Sequence, residues 1–354
     1  MITVLITTHN YGRFVEQAID SVLSQDFPLD QVEILVVDDG STDDTPERVK
    51  KYGSRIEYLY KPNGGQASAL NLGIAKARGE IIALLDADDL FQPSKLTHVM
   101  EAFRQNPALG MVYHGLEEWH TQTDQRIKRN FPLISGDIRK EPDKFFFYYP
   151  HPTSCISFQR TALNPLLPIP EAIRMIADAY LVNLLPFLSP ILAIPESLIL
   201  YRIHGKNSLP YFANAYHADD SRMPIETREI RLRLWKIVID AMSKWLSDHG
   251  FTREHAAVRS ALDRWTLHLQ SQEFLVKPPG RLRLFAHLLL YNRRYGPYLS
   301  RRLRVINRVN ALGALVVGYK HFRLLEKWRL AAVGAVKRAF GSREAKRGAD
   351  AVKI

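Results

Sequence analysis

The sequence predicts an α/β protein with a mostly parallel sheet, covered by helices on both faces and followed by a basic helical region. Short apolar runs typical of buried strands alternate with helical patterns up to about Tyr113. Two of these runs end in clustered carboxylates, as the carboxyl edge of a ligand-binding α/β sheet does. Toward the end of the chain the patterns are helical and rich in Lys and Arg.

The first half of the chain alternates regularly between the two kinds of element. The order strand, helix, strand predicts parallel neighbours joined by helical crossovers. The predicted strands are Ile2 to Thr7, Val32 to Val37, Ile56 to Tyr60, Ile81 to Leu85 and Gly110 to Tyr113. The predicted helices are Phe14 to Leu23, Pro46 to Tyr52, Gln66 to Ala77 and Pro93 to Gln105.

Beyond Glu117 the pattern is looser. A polar segment to Arg129 predicts a hairpin or a loop, and the further elements are strands at Cys155 to Phe158 and Ser197 to Ile203 and helices at Glu171 to Leu185, Glu229 to Leu246 and Arg253 to Leu275. We place the domain boundary between Leu209 and Pro224. This gives a first domain of residues 1–215 and a basic helical region of residues 216–354.

Composition favours a protein of a reducing compartment. The chain has 354 residues, enough to bury a full core, and its single cysteine, Cys155, excludes an intramolecular disulfide. The first predicted strand begins next to Met1, which leaves no room for a signal peptide. The longest apolar stretch, Leu181 to Leu200, contains three prolines and one glutamate, so it is a poor membrane span. We expect a cytoplasmic protein without a transmembrane segment.

The formal net charge of +11 is unevenly distributed. From Lys277 to the end there are 19 Lys and Arg against three Asp and Glu, whereas the preceding residues have 29 against 34. Amphipathic basic stretches occur at Arg281 to Tyr291, Ser300 to Val309 and Phe322 to Phe340. Helices of this kind lie in the interface of anionic membranes, so we expect peripheral docking on the inner leaflet. The alternative is a solvated helical bundle.

Two predicted strands end in acidic residues. The run Ile34 to Val37 leads into Asp38 and Asp39, and Ile81 to Leu85 leads into Asp86, Asp88 and Asp89. Clustered carboxylates behind a buried strand are costly unless a cation or many hydrogen bonds compensate them. This arrangement suits a metal-bound, phosphate-bearing substrate. The alternative is that these acids only form turns or cap the next helix.

Three stretches carry a family resemblance when taken in this order and spacing: VLITTHNYGRFVEQAIDSVLSQDFP, VVDDGSTDDT and NGGQASALNLGIAKARGEIIALLDADD. They resemble family 2 glycosyltransferases, which have the GT-A fold. The resemblance is strong over roughly residues 1–115, patchier to about Leu209 and absent beyond it. It implies an inverting, metal-dependent hexosyltransferase that moves a sugar from a nucleotide-diphospho-sugar to a saccharide or lipid-linked acceptor, in cell-surface polysaccharide or glycolipid synthesis.

The resemblance also implies roles for the acidic strand ends. Asp88 would be the ligand of Mg²⁺ or Mn²⁺, and Asp86 would lie by the ribose or the metal. Strand alternation directs both side chains to the same side, and hard divalent cations prefer such oxygen ligands. Asp39, with Asp38, would contact the nucleobase of a UDP-sugar or other nucleotide-sugar. The residues expected to line the same pocket are Thr7 and Thr8.

Two further segments are implied to surround the donor. Asn63, Gly64 and Gly65 allow close backbone approach to an anion before a helix N-terminus, although an ordinary turn explains them nearly as well. The segment YRIHGKNS resembles the closing segment of the family. There Arg202, His204 and Lys206 would fold over the diphosphate, and a neutral His204 could ligate the metal. The alternative for His204 is a structural role.

Asp178 is the candidate general base for the acceptor hydroxyl. It is the only charged residue between Ile176 and Ile194, and partial burial there would raise its pKa into a useful range. Its position resembles that of an acidic residue of the family. The usual Glu-Asp pair, however, is here Ala177-Asp178. The alternative is a helix acid that faces solvent.

Other functional classes fit less well. A nucleic-acid-binding protein would account for the basic tail but leaves the acidic strand ends unexplained, and no zinc pattern is present. A sugar-1-phosphate nucleotidylyltransferase, which shares the general fold, would need a glycine-rich basic loop after the first strand. That place reads TTHNYGRF. A dehydrogenase would need G-x-G-x-x-G there.

Overall fold

The protein is described by a computed structural model. It covers residues 1–129, 133–137, 139–140, 152–205, 207, 225–277, 280–295 and 312. Lys206 and the predicted stretches Ser300 to Val309 and Phe322 to Phe340 lie outside these residues. The chain forms two compact units, one of Met1–Ala218 with Ile230–Thr266 and one of Asp219–Glu229 with Leu267–Ile354. The predicted boundary near residue 215 stays a prediction.

Nine strands of the described residues form one mixed sheet in the first unit. They are β1 (Ile2–Thr8), β2 (Val32–Asp38), β3 (Glu57–Tyr60), β4 (Ile81–Asp86), β5 (Leu90–Phe91), β6 (Met111–His120), β7 (Gln125–Arg129), β8 (Ile156–Gln159) and β9 (Ile191–Ile203). The order is β3-β2-β1-β4-β8-β6-β9-β5, with β7 paired to β6. Strands β3, β2, β1 and β4 are parallel, and β8 joins β4 antiparallel.

The helices of the described residues alternate with these strands in the first half and follow them in the second. They are α1 (Gly12–Leu23), α2 (Thr45–Lys50), α3 (Gln66–Lys76), α4 (Lys95–Gln105), α5 (Arg160–Leu163), α6 (Ala177–Leu184), α7 (Ile225–Asp248), α8 (Ala256–Val276) and α9 (Arg281–Tyr295). None of the helices in the described part of the chain is both long enough and apolar enough to cross a membrane. The predicted α/β class is confirmed.

The core lies against the parallel strands. Strand β1 is buried along almost its whole length, as expected of a strand covered on both faces. Helix α1 presents one apolar stripe at helical spacing, and the stripe packs into the same core cluster as alternate residues of β1. The buried residues of the stripe are Val15, Ala18, Ile19 and Val22.

Strand register brings the predicted site residues to one edge. Thr7 of β1 pairs with Asp86 of β4, and Thr8 pairs with Asp38 of β2. Because these strands are parallel, their carboxyl ends meet at the edge where open α/β sheets bind ligands. The chain therefore places three predicted strand ends side by side, and Asp88 and Asp39 follow them directly.

The polar segment predicted as a hairpin or a loop is a hairpin of β6 and β7. The second half departs from the predicted elements in two places. Strand β9 begins at Ile191, earlier than predicted, and passes Pro195 at an irregularity in its pairing with β6. Proline is tolerated there because a bulge leaves its missing N–H without consequence. Helix α6 begins at Ala177 and not near Glu171. Ile176 has a left-handed backbone conformation, and a right-handed helix cannot run through such a residue.

The tight turn after β2 contains Gly40, and Gly53 offers a comparison outside that turn. Gly40 has φ +80°, and a Cβ built on it would lie 2.6 Å from the backbone N of Asn63. Gly53 has φ +55° with nothing within 4 Å of its Cβ position. We expect Gly53→Ala to cost about 1 kcal/mol for the left-handed conformation, and Gly40→Ala at least twice that. Urea unfolding measures both, and equal losses would contradict the close approach of the Asn63 backbone.

Candidate active site

A cavity of about 620 Å³ opens at the carboxyl edge of the parallel strands. It is large enough for a small-molecule ligand. The predicted site residues that line it are Thr7, Thr8, Asp39, Asn63, Gly65, Asp86, Asp88 and Asp178. Asp38, Arg202 and His204 do not line it. Asp39 and Asp88 thus border one space, as the sequence predicts.

The end of β4 concentrates negative charge. Burial, together with the neighbouring Asp88 and Asp178 carboxylates, raises the pKa of Asp86 to about 8. The pKa of Asp89, which is completely buried, is also raised by burial and by Asp88 and Asp86. Its carboxylate accepts hydrogen bonds from the Ser154 hydroxyl at 2.6 Å and the Arg202 backbone N–H at 3.0 Å. A cation bound here would offset the repulsion between these groups and favour their ionised forms.

Asp88 and His204 are the residues best placed to hold a metal. Their Oδ2 and Nε2 atoms are 3.1 Å apart, close enough to share one ion. Among the described residues no group of three His, Cys, Asp or Glu side chains could hold an ion. A pair of ligands still fits Mg²⁺ or Mn²⁺, because such ions are commonly held by one or two protein groups with phosphate oxygens and water.

His204 is fixed by its surroundings as well as by Asp88. Its Nδ1 lies 3.1 Å from Arg13 Nη2. Its ring packs on Phe14 at 4.7 Å between centroids and on Tyr11 at 5.9 Å. The start of α1 therefore orients the imidazole toward Asp88. Because Arg13 can only donate, Nδ1 accepts and a neutral His204 has its proton on Nε2, so metal ligation through Nε2 would require the Arg13 contact to change.

Arg202 is held behind the Asp88 loop and not in the cavity. Its Nε donates to the Asp88 carbonyl oxygen at 2.6 Å and its Nη2 to Gln17 Oε1 at 2.7 Å. Its guanidinium lies between the rings of Phe14 and Trp119, at 4.6 and 4.7 Å from their centroids. These contacts connect β9 to the loop that carries Asp88. The contact to diphosphate that the sequence predicts for Arg202 would require them to rearrange.

Asp38 and Asp39 face different surroundings. Asp38 is buried, and its carboxylate accepts hydrogen bonds from the Ser41 N–H and the Tyr58 hydroxyl, both at 2.7 Å. Its predicted contact to a nucleobase stays a prediction. Asp39 accepts from Lys61 Nζ and from two backbone N–H groups, those of Gly64 and Gly65. A carboxylate has about four acceptor positions, so Asp39 can take one more donor.

Asp178 lies in the first turn of α6 and faces the cavity. Burial raises its pKa, and a hydrogen bond from the Thr153 hydroxyl, at 3.2 Å, opposes this rise in part. The resulting pKa is about 6. A carboxylate of this pKa is deprotonated at neutral pH and still basic enough to take a proton. The predicted rise in the pKa of Asp178 is therefore present.

Several residues that support the site carry no sequence signal. Ser154 bridges two acids, because its hydroxyl donates to Asp89 and accepts from the Asp86 N–H. Lys95 is completely buried, and its ammonium donates to the Ser154 carbonyl oxygen and lies 3.6 Å from the centre of the Phe91 ring. A lysine after a proline and a serine reads as the exposed start of a helix. Only the tertiary structure reveals its burial.

Comparisons with known proteins point to one family. A family model described as Glycosyl transferase family 2 matches residues 3–162. An uncharacterized glycosyltransferase from Nostoc sp. is 32% identical over 231 residues, which cover 62% of this chain and 70% of that protein.

Two solved structures are similar in fold. The 1–349 form of S. aureus TarS in complex with UDP has a TM-score of 0.50 at 15% identity, with 90% of this chain and 92% of that chain covered. The mannosyltransferase PcManGT from Pyrobaculum calidifontis, in complex with GDP-Man and Mn²⁺, has a TM-score of 0.51 at 17% identity, with 94% and 85% covered. At these identities the likeness shows the fold alone.

The buried Lys95 has a testable effect on stability. Burial lowers its pKa to about 7, below the value of about 10.4 expected in the unfolded chain. Between these values the unfolded state binds more protons, so this group makes the unfolding free energy rise with pH, by at most about 1.4 kcal/mol per unit. Lys95→Met lacks this contribution.

The stability of Lys95→Met relative to the wild type should therefore fall as the pH rises from 7 to 9. Urea unfolding at several pH values measures the difference. Lys76→Met, at an exposed position of α3, is the matched control and should run parallel to the wild type. A Lys95→Met curve that also runs parallel to the wild type would show that Lys95 does not titrate in this range.

Proposed function

The chain belongs to glycosyltransferase family 2, and we propose that it transfers a sugar, with inversion, from a nucleotide-diphospho-sugar to an acceptor hydroxyl with the help of Mg²⁺ or Mn²⁺. One observation carries the proposal. Asp178, with its raised pKa, lines the same cavity as Asp39 and Asp88. A base, a nucleotide contact and a metal ligand are thus available to one substrate pair.

The donor half of the cavity suits a nucleotide diphosphate. Asp39 has an acceptor position left for an N–H of the base. Thr7 and Thr8 line the cavity beside it, and Asn63 and Gly65 precede the N-terminus of α3, where backbone N–H groups favour anions. TarS was solved with UDP and PcManGT with GDP-Man and Mn²⁺, which supports a nucleotide-sugar for this chain as well.

Asp88 and His204 would hold the cation. When bound, the ion neutralises the charge that develops on the diphosphate as the sugar leaves. A bound cation would also favour the ionised forms of Asp86 and Asp89, whose pKa values are raised. Arg202 keeps the Asp88 backbone in place. For His204 to serve as a ligand, its Nε2 must exchange the contact with Asp88 for one with the metal.

Asp178 acts on the acceptor. Its carboxylate takes the proton of the acceptor hydroxyl as that oxygen bonds to the anomeric carbon of the sugar. The bond from the anomeric carbon to the diphosphate oxygen breaks, and the nucleoside diphosphate leaves with the electron pair. Attack opposite the leaving group inverts the anomeric configuration.

The acceptor is a saccharide or a lipid-linked saccharide. Apolar side chains from the α6 region and from α7 line the cavity beside Asp178, and they include Met175, Ile176, Leu234 and Trp235. Such a surface suits a sugar ring or an apolar group linked to it. We place the reaction in cell-surface polysaccharide or glycolipid synthesis.

Helix α9 supports a membrane partner. Its sequence has four arginines and no acidic residue. Three of its leucines are exposed at Leu282 (75%), Leu289 (41%) and Leu290 (43%), at spacings that put them on one side of the helix. Buried Leu284 and His287 lie on the other side. Exposed leucines among arginines are typical of a helix that lies in an anionic membrane interface.

The charge of α9 argues against the other occupants of this face. A second copy would set arginines against arginines. Residues 296–354 have 14 Lys and Arg against three acidic residues, so they too would be repelled. Nucleic acid would satisfy the charge but not the leucines. The proposed partner is the anionic inner leaflet, where a lipid-linked acceptor is found.

Separate substitutions should divide donor binding from chemistry. Asp178→Asn should keep the thermal stabilisation by UDP or GDP with Mn²⁺ but lower turnover by about 10²- to 10⁴-fold, because the base is gone. Asp88→Asn should lose the Mn²⁺-dependent part of that stabilisation.

Wild-type turnover should fall about tenfold per pH unit below about pH 6, where Asp178 is protonated. Nucleoside diphosphate release from a panel of nucleotide-sugars measures turnover.

Asp240→Asn is the control, since Asp240 is exposed on α7. It should match the wild type in both assays. Full turnover by a folded Asp178→Asn would remove the proposed base. A Mn²⁺-dependent stabilisation of Asp88→Asn as large as that of the wild type would remove the proposed metal ligand.

Vesicle co-sedimentation tests the α9 face. The wild type should bind vesicles rich in phosphatidylserine and not pure phosphatidylcholine. Replacing Leu282, Leu289 and Leu290 together by Ser should weaken binding at least about tenfold, because three apolar side chains no longer enter the interface. Leu29→Ser, at another exposed leucine, is the control. Equal binding to both vesicle types, or binding to DNA and not to vesicles, would contradict the proposal.

A further inference from the structure

A strained turn precedes Asp178. Ile176 has φ +57° and ψ 33°, a left-handed conformation in which a β-branched residue is rarely found. Such a conformation costs free energy and persists only where neighbouring contacts hold it. The next residue but one is the proposed base, so whatever holds the turn also sets the position of the base.

Gln66, the first residue of α3, holds the turn on both sides. Its backbone N–H donates to the carbonyl oxygen of Arg174 at 2.8 Å. Its side-chain Oε1 accepts the N–H of Ala177, also at 2.8 Å. The two contacts bracket the strained residue. Gly65 permits the approach, since a Cβ there would lie 2.7 Å from the Arg174 carbonyl oxygen.

The same side chain reaches the proposed base through a hydroxyl. Gln66 Nε2 donates to Thr153 Oγ1 at 3.4 Å, and the Thr153 hydroxyl donates to Asp178 Oδ2 at 3.2 Å. The donor and acceptor roles are consistent along this series of hydrogen bonds. Because Oε1 faces an N–H, the amide must direct its NH₂ group to Thr153. The hydroxyl proton of Thr153 is then available to the Asp178 carboxylate and to that of Asp86, whose pKa the same hydroxyl lowers.

We propose that Gln66 is a positioning residue for the transfer reaction: it holds the Ile176 turn and, through Thr153, orients the Asp178 carboxylate toward the acceptor. The inference rests on the proposed role of Asp178 as the base. Gln66 lines the cavity at the junction of α3 and α6, and its side chain uses both its acceptor and its donor for this purpose.

Other charged or titratable groups share the cavity with Asp178. They belong to the ends of β1 and β4, to the turn after β2, to the segment before α6 and to β9. These groups are His9, Tyr11, Asp39, Asp86, Asp88, Arg174 and Tyr201. None of them is substituted in the test. Because Thr153 also hydrogen-bonds Asp86, the titration of Asp86 is followed beside that of Asp178.

The first experiment follows the Asp178 carboxyl by ¹³C NMR in metal-free protein, with the resonance assigned from its loss in Asp178→Asn. Thr153→Val and Gln66→Met should both raise the pKa of Asp178, because the carboxylate loses its hydrogen bond or the orientation that permits it. Thr153→Ser keeps a hydroxyl and should restore the wild-type value. Gln31→Met, at an exposed glutamine, is the control.

Kinetics provide the second readout. In Gln66→Met the acid limb of the rate should move to higher pH, in the same direction as the NMR value. Its kcat should fall about 10- to 100-fold, as small misplacements of a reacting group do, while the KM for the donor stays within about twofold. A loss of donor affinity equal to the loss of rate would overturn the positioning role.

A double substitution tests the strained turn itself. Glycine adopts the left-handed conformation without cost, so a chain with Ile176→Gly needs no clamp there. Ile176→Gly should therefore raise kcat when added to Gln66→Met but not when added to the wild type. Additive effects of the two changes would contradict the proposed clamp.

The outcomes separate this inference from the proposed function. If Asp178→Asn keeps full turnover, the base assignment fails, yet the NMR titration still decides whether Gln66 orients the carboxyl. If the Gln66→Met protein melts earlier but keeps the wild-type Asp178 pKa and acid limb, Gln66 is merely structural and the inference is wrong.

Discussion

The structure depends on the burial of negative charge at the end of β4. Asp86, Asp88 and Asp89 follow a strand that is buried on both faces, where ionised carboxylates are poorly solvated. Most of the unusual contacts nearby reduce that cost. The Ser154 hydroxyl and the Arg202 N–H hydrogen-bond Asp89, and the carbonyl that Ser154 presents behind them is held by buried Lys95. Further compensation would have to come from a positive charge, which is why the proposed function includes a cation.

Topology brings the remaining parts to this charge. Strand β9 runs parallel to β6, which starts near the opposite end of the sheet, and it is long enough to deliver Arg202 to the back of the Asp88 loop. The start of α1 then contacts both Arg202 and His204 through Phe14. Residues nearly 200 positions apart in the sequence thus fix one loop. Packing and cation–π contacts therefore position Arg202 and His204.

What could be predicted follows from local pattern. The parallel strands were readable because buried runs are short and apolar, and the meeting of Asp39, Asp86 and Asp88 follows from the common direction of those strands. Asp38 shows the limit: it ends a strand and neighbours Asp39, but alternation turns it to Ser41 and Tyr58. Lys95 and the late start of α6 depend on contacts with distant residues. No periodicity encodes such contacts.

The departure from the usual acidic pair at 177–178 has a packing explanation. Ala177 is completely buried, and its N–H bonds to Gln66, so position 177 faces α3 and not the cavity. A glutamate there would bury a charge against the helix that holds the Ile176 turn. A small residue instead allows α3 to approach closely, at the place where Gly65 also lacks a side chain. In the proposed function, catalysis and packing are thereby divided between neighbouring residues. Asp178 supplies the carboxylate, and Ala177 makes room for the contact that orients it.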